Sequence, residues 1–153
     1  MWCSVSYRPI IVPVSTAFPN GQDCRRPYLV VTLLNGQKPL SCLAIADTGA
    51  DHCIFPLSFA TALGLDPLTM PSQAVSGMGS YNVPTYYANV TLRIGFGVPT
   101  NQRVVEHTIF AGFTQGMDQQ GVGLLGQSGF FDHFKVAFDR TASLFHVELP
   151  DTP

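Results

Sequence analysis

Charge is scarce in this sequence. Only 12% of the residues are Asp, Glu, Lys or Arg, and the formal net charge is −2. The few Lys and Arg are scattered and form no basic stripe that could neutralise a phosphate backbone, so no nucleic-acid partner is expected. No apolar run approaches the roughly 18 residues of a membrane-crossing helix. Residues 1–8 also lack a basic segment leading into a long apolar one, so the chain is expected to be soluble and cytoplasmic, with no membrane partner. Cys3, Cys24, Cys42 and Cys53 have neither the CxxC pairing of a zinc site nor the density of a secreted disulfide scaffold, and read as buried or surface thiols. His52, His107, His133 and His146 show no ligand spacing, so no metal and no other cofactor is expected. Asn89-Val90-Thr91 has the pattern of a glycosylation acceptor but falls inside an expected strand, and carries no weight.

What is abundant points to β structure. The 153 residues fit one domain, long enough to bury about two thirds of the surface its unfolded form exposes. Hydrophobic residues make up 46%, alongside 14 Gly and 12 Pro, a mixture that suits short strands and many turns. With so little charge to cover the outside, apolar surface is left over, which favours an oligomer.

The chain is organised around Leu43-Ala44-Ile45-Ala46-Asp47-Thr48-Gly49-Ala50-Asp51. An apolar run delivers one carboxylate, Asp47, into a sharp turn at the edge of a packed sheet, where an acid can do chemistry. Thr48 supplies a short hydroxyl, and Gly49 permits positive φ or the close approach of another chain. Two apolar runs flank Asn35-Gly36, the dipeptide that most readily makes a hairpin turn, and the second run leads straight into Asp47.

Elsewhere, residues 10–14 read as an edge strand or arm interrupted by Pro13, and 18–26 as a loop. Pro56 suits a first helical turn and Gly64 a C-terminal cap, giving a short helix over 56–63 with Leu57, Ala60 and Leu63 in the core. A Gly-rich turn at 74–81 precedes a returning strand at 83–94, followed by a strand at 102–110 and a polar loop at 111–121. Residues 121–126 fit the GxGxxG spacing of a dinucleotide-binding turn. That match fails on context, because polar residues rather than a buried strand precede it. A closing hairpin brackets 139–143, with Phe145, Val147 and Leu149 inward.

Asp47-Thr48-Gly49-Ala50, the apolar strand before it, the Gly-rich turn after it and the apolar-apolar-Gly element Leu124-Leu125-Gly126 together resemble the retropepsin-like aspartic proteases over roughly residues 26–149. The resemblance implies a mostly β fold, a closed acid-protease barrel with two short helices at 56–63 and 127–134, the second burying Phe130, Phe131 and Phe134. It implies an N-terminal arm and loop over 1–25, a protease domain over 26–149 and a tail at 150–153. Asp47, Thr48 and Gly49 would be catalytic. Ala50 and Asp51 would bind substrate, together with Gly77, Met78 and Gly79 in a flap hairpin. Leu124-Leu125-Gly126 would pass beside the Asp47 turn.

Peptide hydrolysis of this kind needs two carboxylates sharing a proton, and the chain carries a single motif. The resemblance therefore implies a homodimer acting on a peptide or protein substrate, with Thr48 bonding across the two-fold. One position departs from the pattern. Viral members often pair the residue matching Asp51 with an Arg, and Gln127 stands there instead. The function implied is an aspartic endopeptidase, and the alternative is a peptide-binding or scaffolding dimer that retains the motif without catalysis.

Overall fold

Apolar and polar residues alternate with period two through much of the chain, and long strands form where they do. The structure is a computed structural model that describes residues 1–76 and 82–151. In chain order the strands are β1 (Trp2–Ser6), β2 (Arg8–Ile10), β3 (Cys24–Arg26), β4 (Tyr28–Asn35), β5 (Lys38–Ala46) and β6 (Ile54–Pro56). After helix α1 (Leu57–Ala62) come β7 (Ser72–Ser76), β8 (Asn82–Val98), β9 (Asn101–Thr114), β10 (Gly123–Leu125), β11 (Lys135–Asp139) and β12 (Leu144–Glu148).

Six of these strands close on themselves. β4 pairs with β5, β5 with β10, β10 with β6, β6 with β9, β9 with β8, and β8 returns to β4. Closure gives each of the six strands a partner on both sides. β8 is long enough to pair with β9 along 85–98 while its other side serves β7 at 82–86 and β4 at 91–94. The alternation on β8 sends Val90, Leu92, Ile94 and Phe96 inward against Val31, Leu33, Phe55 and Phe113. A second sheet, ordered β1-β12-β11, adds Phe145, Val147 and Leu149 to the same core, so the first strand of the chain is built against the last.

α1 starts just after Pro56 and stops short of Gly64, as local chemistry dictates. Gly64 takes φ +75°, its N–H reaches the Thr61 carbonyl, and the Leu65 N–H reaches the Ala60 carbonyl, which together satisfy the last turn. Ala60 and Leu63 are fully buried and Leu57 packs against them. No helix among the described residues is long and apolar enough to cross a membrane.

Other expectations are corrected. The second helix is absent: residues 127–134 form successive turns whose backbone bonds span three, four and five residues instead of a steady four. Gly129 is the cause, since it takes φ +101° and gives its N–H to the Asp132 carboxylate at 3.0 Å. Phe130 and Phe134 are nevertheless buried, with Phe131 partly so. Strand β9 runs on through Thr114 where a loop was expected from 111. No strand occupies 11–14, and Cys24–Arg26 is a strand inside the expected loop. The hairpin turn falls one residue later than Asn35-Gly36: Asn35 pairs with Lys38, leaving Gly36-Gln37 as the loop, with φ +60° at Gly36 alone. Asn35 instead donates its side-chain N–H to the Leu63 carbonyl, tying the hairpin to α1.

The turn at 126–134 is fastened to β9 by two histidines. His107 Nε2 meets the Gly129 carbonyl at 2.7 Å, and its ring lies 3.9 Å from that of His133, centroid to centroid. Burial holds the His107 pKa below its ordinary value, the Gly129 carbonyl opposes this, and neighbouring His133 reinforces it. A lowered histidine pKa means that the unfolded chain binds the proton more readily, so this group's contribution to stability is complete above about pH 6.5 and is lost as pH falls below it. We expect the urea midpoint to drop between pH 7.5 and 5.5, and to drop less in His107→Gln, whose amide can still reach Gly129 but does not titrate.

Candidate active site

β5 ends at Ala46, held between β4 on one side and β10 on the other. Asp47 follows, and its own N–H is anchored to the Leu125 carbonyl of β10 at 3.0 Å. The turn then closes on itself: the Gly49 N–H donates to Asp47 Oδ1 at 2.9 Å, and the Ala50 N–H to the Asp47 carbonyl at 3.2 Å. Of the two uses open to Gly49 the structure takes clearance, because its φ is not positive and an added Cβ would sit 3.3 Å from Asp47 Oδ1. One oxygen of Asp47 is thereby held by its own backbone. The side chain is half-buried, whereas Thr48 and Gly49 are exposed.

Leu124, Leu125 and Gly126 lie against this turn. β10 runs parallel to β5, with Leu125 opposite Ala46, and antiparallel to β6, with Leu124 opposite Ile54, so it is inserted between the two strands that the Asp47 turn joins. Beyond it the loops zip together. Gln127 N–H donates to the Ala50 carbonyl at 2.8 Å, Ser128 N–H to that of Asp51 at 2.9 Å, and Cys53 N–H to that of Ser128 at 3.3 Å. Gly126 sits beneath these carbonyls. A Cβ there would lie 2.7 Å from the Ala50 oxygen and nearer still to that of His52, so glycine is required for the two loops to approach. Below it the Cys53 thiol accepts from the Gly126 N–H at 3.4 Å, and burial pushes that thiol's pKa up to about 11, keeping it protonated.

Gln127 does not reach for Asp51. Its side-chain N–H donates to the Thr48 carbonyl at 2.7 Å, which braces the turn with a neutral group. A cavity of about 630 Å³ opens in front, lined by Asp47 and 49–52, by residues 73–76 of β7, and by Ile54, Tyr87 and Leu124. Ile54, Val75 and Leu124 give it apolar lining. Gly77, Met78 and Gly79, expected in a flap, lie outside the described residues.

Two lining residues carried no signal in the sequence. Tyr87 is brought in by the pairing of β8, and burial, aided by the Asp51 charge, raises its phenol pKa. His52 packs its ring edge-on against Tyr87 at 5.5 Å, and its Nδ1 is buried with no hydrogen-bond partner among the described residues. No group of three or more His, Cys, Asp or Glu among the described residues is arranged to hold a metal ion. The arrangement offers a carboxylate at an apolar-walled cleft, able to take a proton from water or give one up.

A family model described as aspartyl protease matches residues 30–128. Comparison with curated proteins gives no match. Among solved structures the chain is similar to a retropepsin-like aspartic protease from Rickettsia conorii, at 16% sequence identity over 97% of this chain and 96% of that one, with a TM-score of 0.48.

The crowding at Gly126 makes a measurable demand. Gly126→Ala should cost about 1–3 kcal/mol or more through forced separation of the loops. Gln127→Ala, which removes one exposed hydrogen bond, should cost about 1 kcal/mol or less. Urea unfolding reads both as shifts in midpoint, and a Gly126→Ala protein as stable as wild type would contradict the close approach.

Proposed function

The chain belongs to the aspartyl protease family, and on that footing we propose that it is an aspartic endopeptidase working as a homodimer, with the two Asp47 carboxyl groups meeting on the two-fold axis. The observation that carries this reading is a single Asp-Thr-Gly turn, braced by β10 and Gln127, presenting its carboxylate to a cleft large enough for an extended peptide. Thr48 and Gly49 beside it are exposed and available to a second copy. An isologous contact sets a residue at the axis against itself, which supplies the second carboxylate that the chain lacks.

In this mechanism the pair holds one proton. The ionised Asp47 takes a proton from water while the water oxygen attacks the scissile carbonyl carbon, and the protonated Asp47 gives its proton to the carbonyl oxygen. Collapse of the tetrahedral intermediate breaks the C–N bond as the protonated carboxyl gives its proton to the leaving nitrogen and a hydroxyl proton of the intermediate passes to the other carboxylate, so the pair again holds one proton. Thr48 braces the pair across the dimer, and Gly49 and Ala50 accept the peptide's backbone. Ile54, Val75 and Leu124 favour apolar side chains beside the cut.

Asp47→Asn cannot provide the base. It should lose at least about a thousandfold in activity on an unfolded protein substrate while keeping a wild-type circular dichroism spectrum and denaturation midpoint, by the scale on which groups acting as a unit fail together. Wild-type activity should fall on dilution as dimers separate, and excess Asp47→Asn protein should suppress it by forming heterodimers with one carboxylate. Retained cleavage by Asp47→Asn would end the mechanism. Peptide binding with no cleavage by wild type would favour the binding dimer instead.

A further inference from the structure

The walls of the cleft carry an unbalanced charge. Asp47 and Asp51 both line it, and none of the lining residues is Lys or Arg. Asp47 has a partner in its own turn, but Asp51 has no ion pair among the described residues. Gln127, adjacent in the zipped loops, spends its side-chain donor on the Thr48 carbonyl and leaves the carboxylate alone. Asp51 is exposed, so water solvates it in the empty cleft.

A peptide filling the cleft removes that water. A carboxylate left unpaired there is costly, whereas one met by an ammonium or guanidinium group is compensated by a charge-assisted bond. The field of Asp51 already reaches across to Tyr87, where it helps raise the phenol pKa. A peptide with a glutamate at that point would add like charge, and one with an apolar side chain would leave the charge uncompensated.

We infer that Asp51 is a specificity-determining residue that selects peptides carrying a lysine or arginine side chain beside an otherwise apolar stretch at the cut. The inference rests on the endopeptidase reading only for the cleavage itself, because recognition can be measured without it. In a two-fold dimer each half contributes one Asp51, so the preference falls at matching distances on both sides of the scissile bond, and a segment basic on both sides is favoured most.

The test uses one peptide frame with lysine, norleucine or glutamate placed in turn at each of the four positions on either side of the cut. Norleucine keeps the length of the lysine stem without its charge. Binding to full-length Asp47→Asn protein is read by fluorescence anisotropy, and kcat/KM by wild-type cleavage. At the position reaching Asp51, lysine should exceed norleucine by about tenfold, which equals about 1.4 kcal/mol, with the difference in KM and with glutamate weakest. The advantage should shrink in 0.5 M salt, at which exposed charge pairs are screened, by about twofold or more. The lysine-to-norleucine ratio should fall to about one in Asp51→Asn and in Gln127→Arg, which supplies an internal cation, and survive in Asp51→Glu.

The outcomes separate. Lysine preference in binding with no cleavage of any peptide sinks the endopeptidase reading and upholds the recognition. Cleavage with no lysine preference at any position does the reverse. A preference that persists in Asp51→Asn overturns the inference, and failure of every peptide to bind or be cut overturns both.

Discussion

The site depends on one place where two backbones come closer than any side chain would allow. Gly126 has no Cβ, and the carbonyls of Ala50 and His52 occupy the space it would need. That clearance lets the 47–53 loop lie down on 126–128 and exchange backbone hydrogen bonds with it. The bonds fix Asp47 far more tightly than a solvated turn could, because each removed bond would leave a backbone group unpaired against packed surface. Gly123 serves the same purpose at the start of β10, where the Phe55 ring fills the room a side chain would take. Small residues at both ends of β10 are therefore what allow a short strand to slip between β5 and β6.

Much of this was legible from local chemistry. The Asp47 turn announces itself because an apolar strand, an acid, a short hydroxyl and a glycine occur in that order. Pro56 and Gly64 bracket α1 because each satisfies or tolerates something a helix end requires. Sequence and fold part where distant chain decides. Phe130, Phe131 and Phe134 fit helical spacing, but Gly129 turns left-handed where an added Cβ would crowd Cys53 and Ile109, and nothing in the local sequence marks that. Gly112 reads as a strand breaker. In the fold it lies deep in β9, paired with β6, because only glycine leaves room for the Thr85 and Tyr87 side chains packed over it. The carboxylate side of the cleft could be named from sequence, whereas Tyr87 could not, since register across β8 brings it in.

Electrostatics and packing divide the work within the site. The neutral amide of Gln127 does the structural bracing that a charged group could also do, and in choosing the Thr48 carbonyl it leaves the neighbouring acid uncommitted. A charge that is not spent on holding the fold is free to be spent on whatever enters. The buried thiol of Cys53 contributes the opposite: a group kept protonated and inert by its surroundings, filling space under the loop and accepting one backbone bond.

The insertion of β10 also sets an order in time. Gln127 and Thr48 stand 79 residues apart, and Gly126 and Cys53 stand 73 apart, yet the Asp47 turn has its form only when these pairs meet. Closing loops of that length comes late in folding, after local hairpins such as β4-β5 and β8-β9 have formed. A chain emerging from the ribosome has its acid exposed long before the strand that aims it has been made. The form of the turn at Asp47 is thus out of reach until β10 has been synthesised, a delay that comes from topology alone.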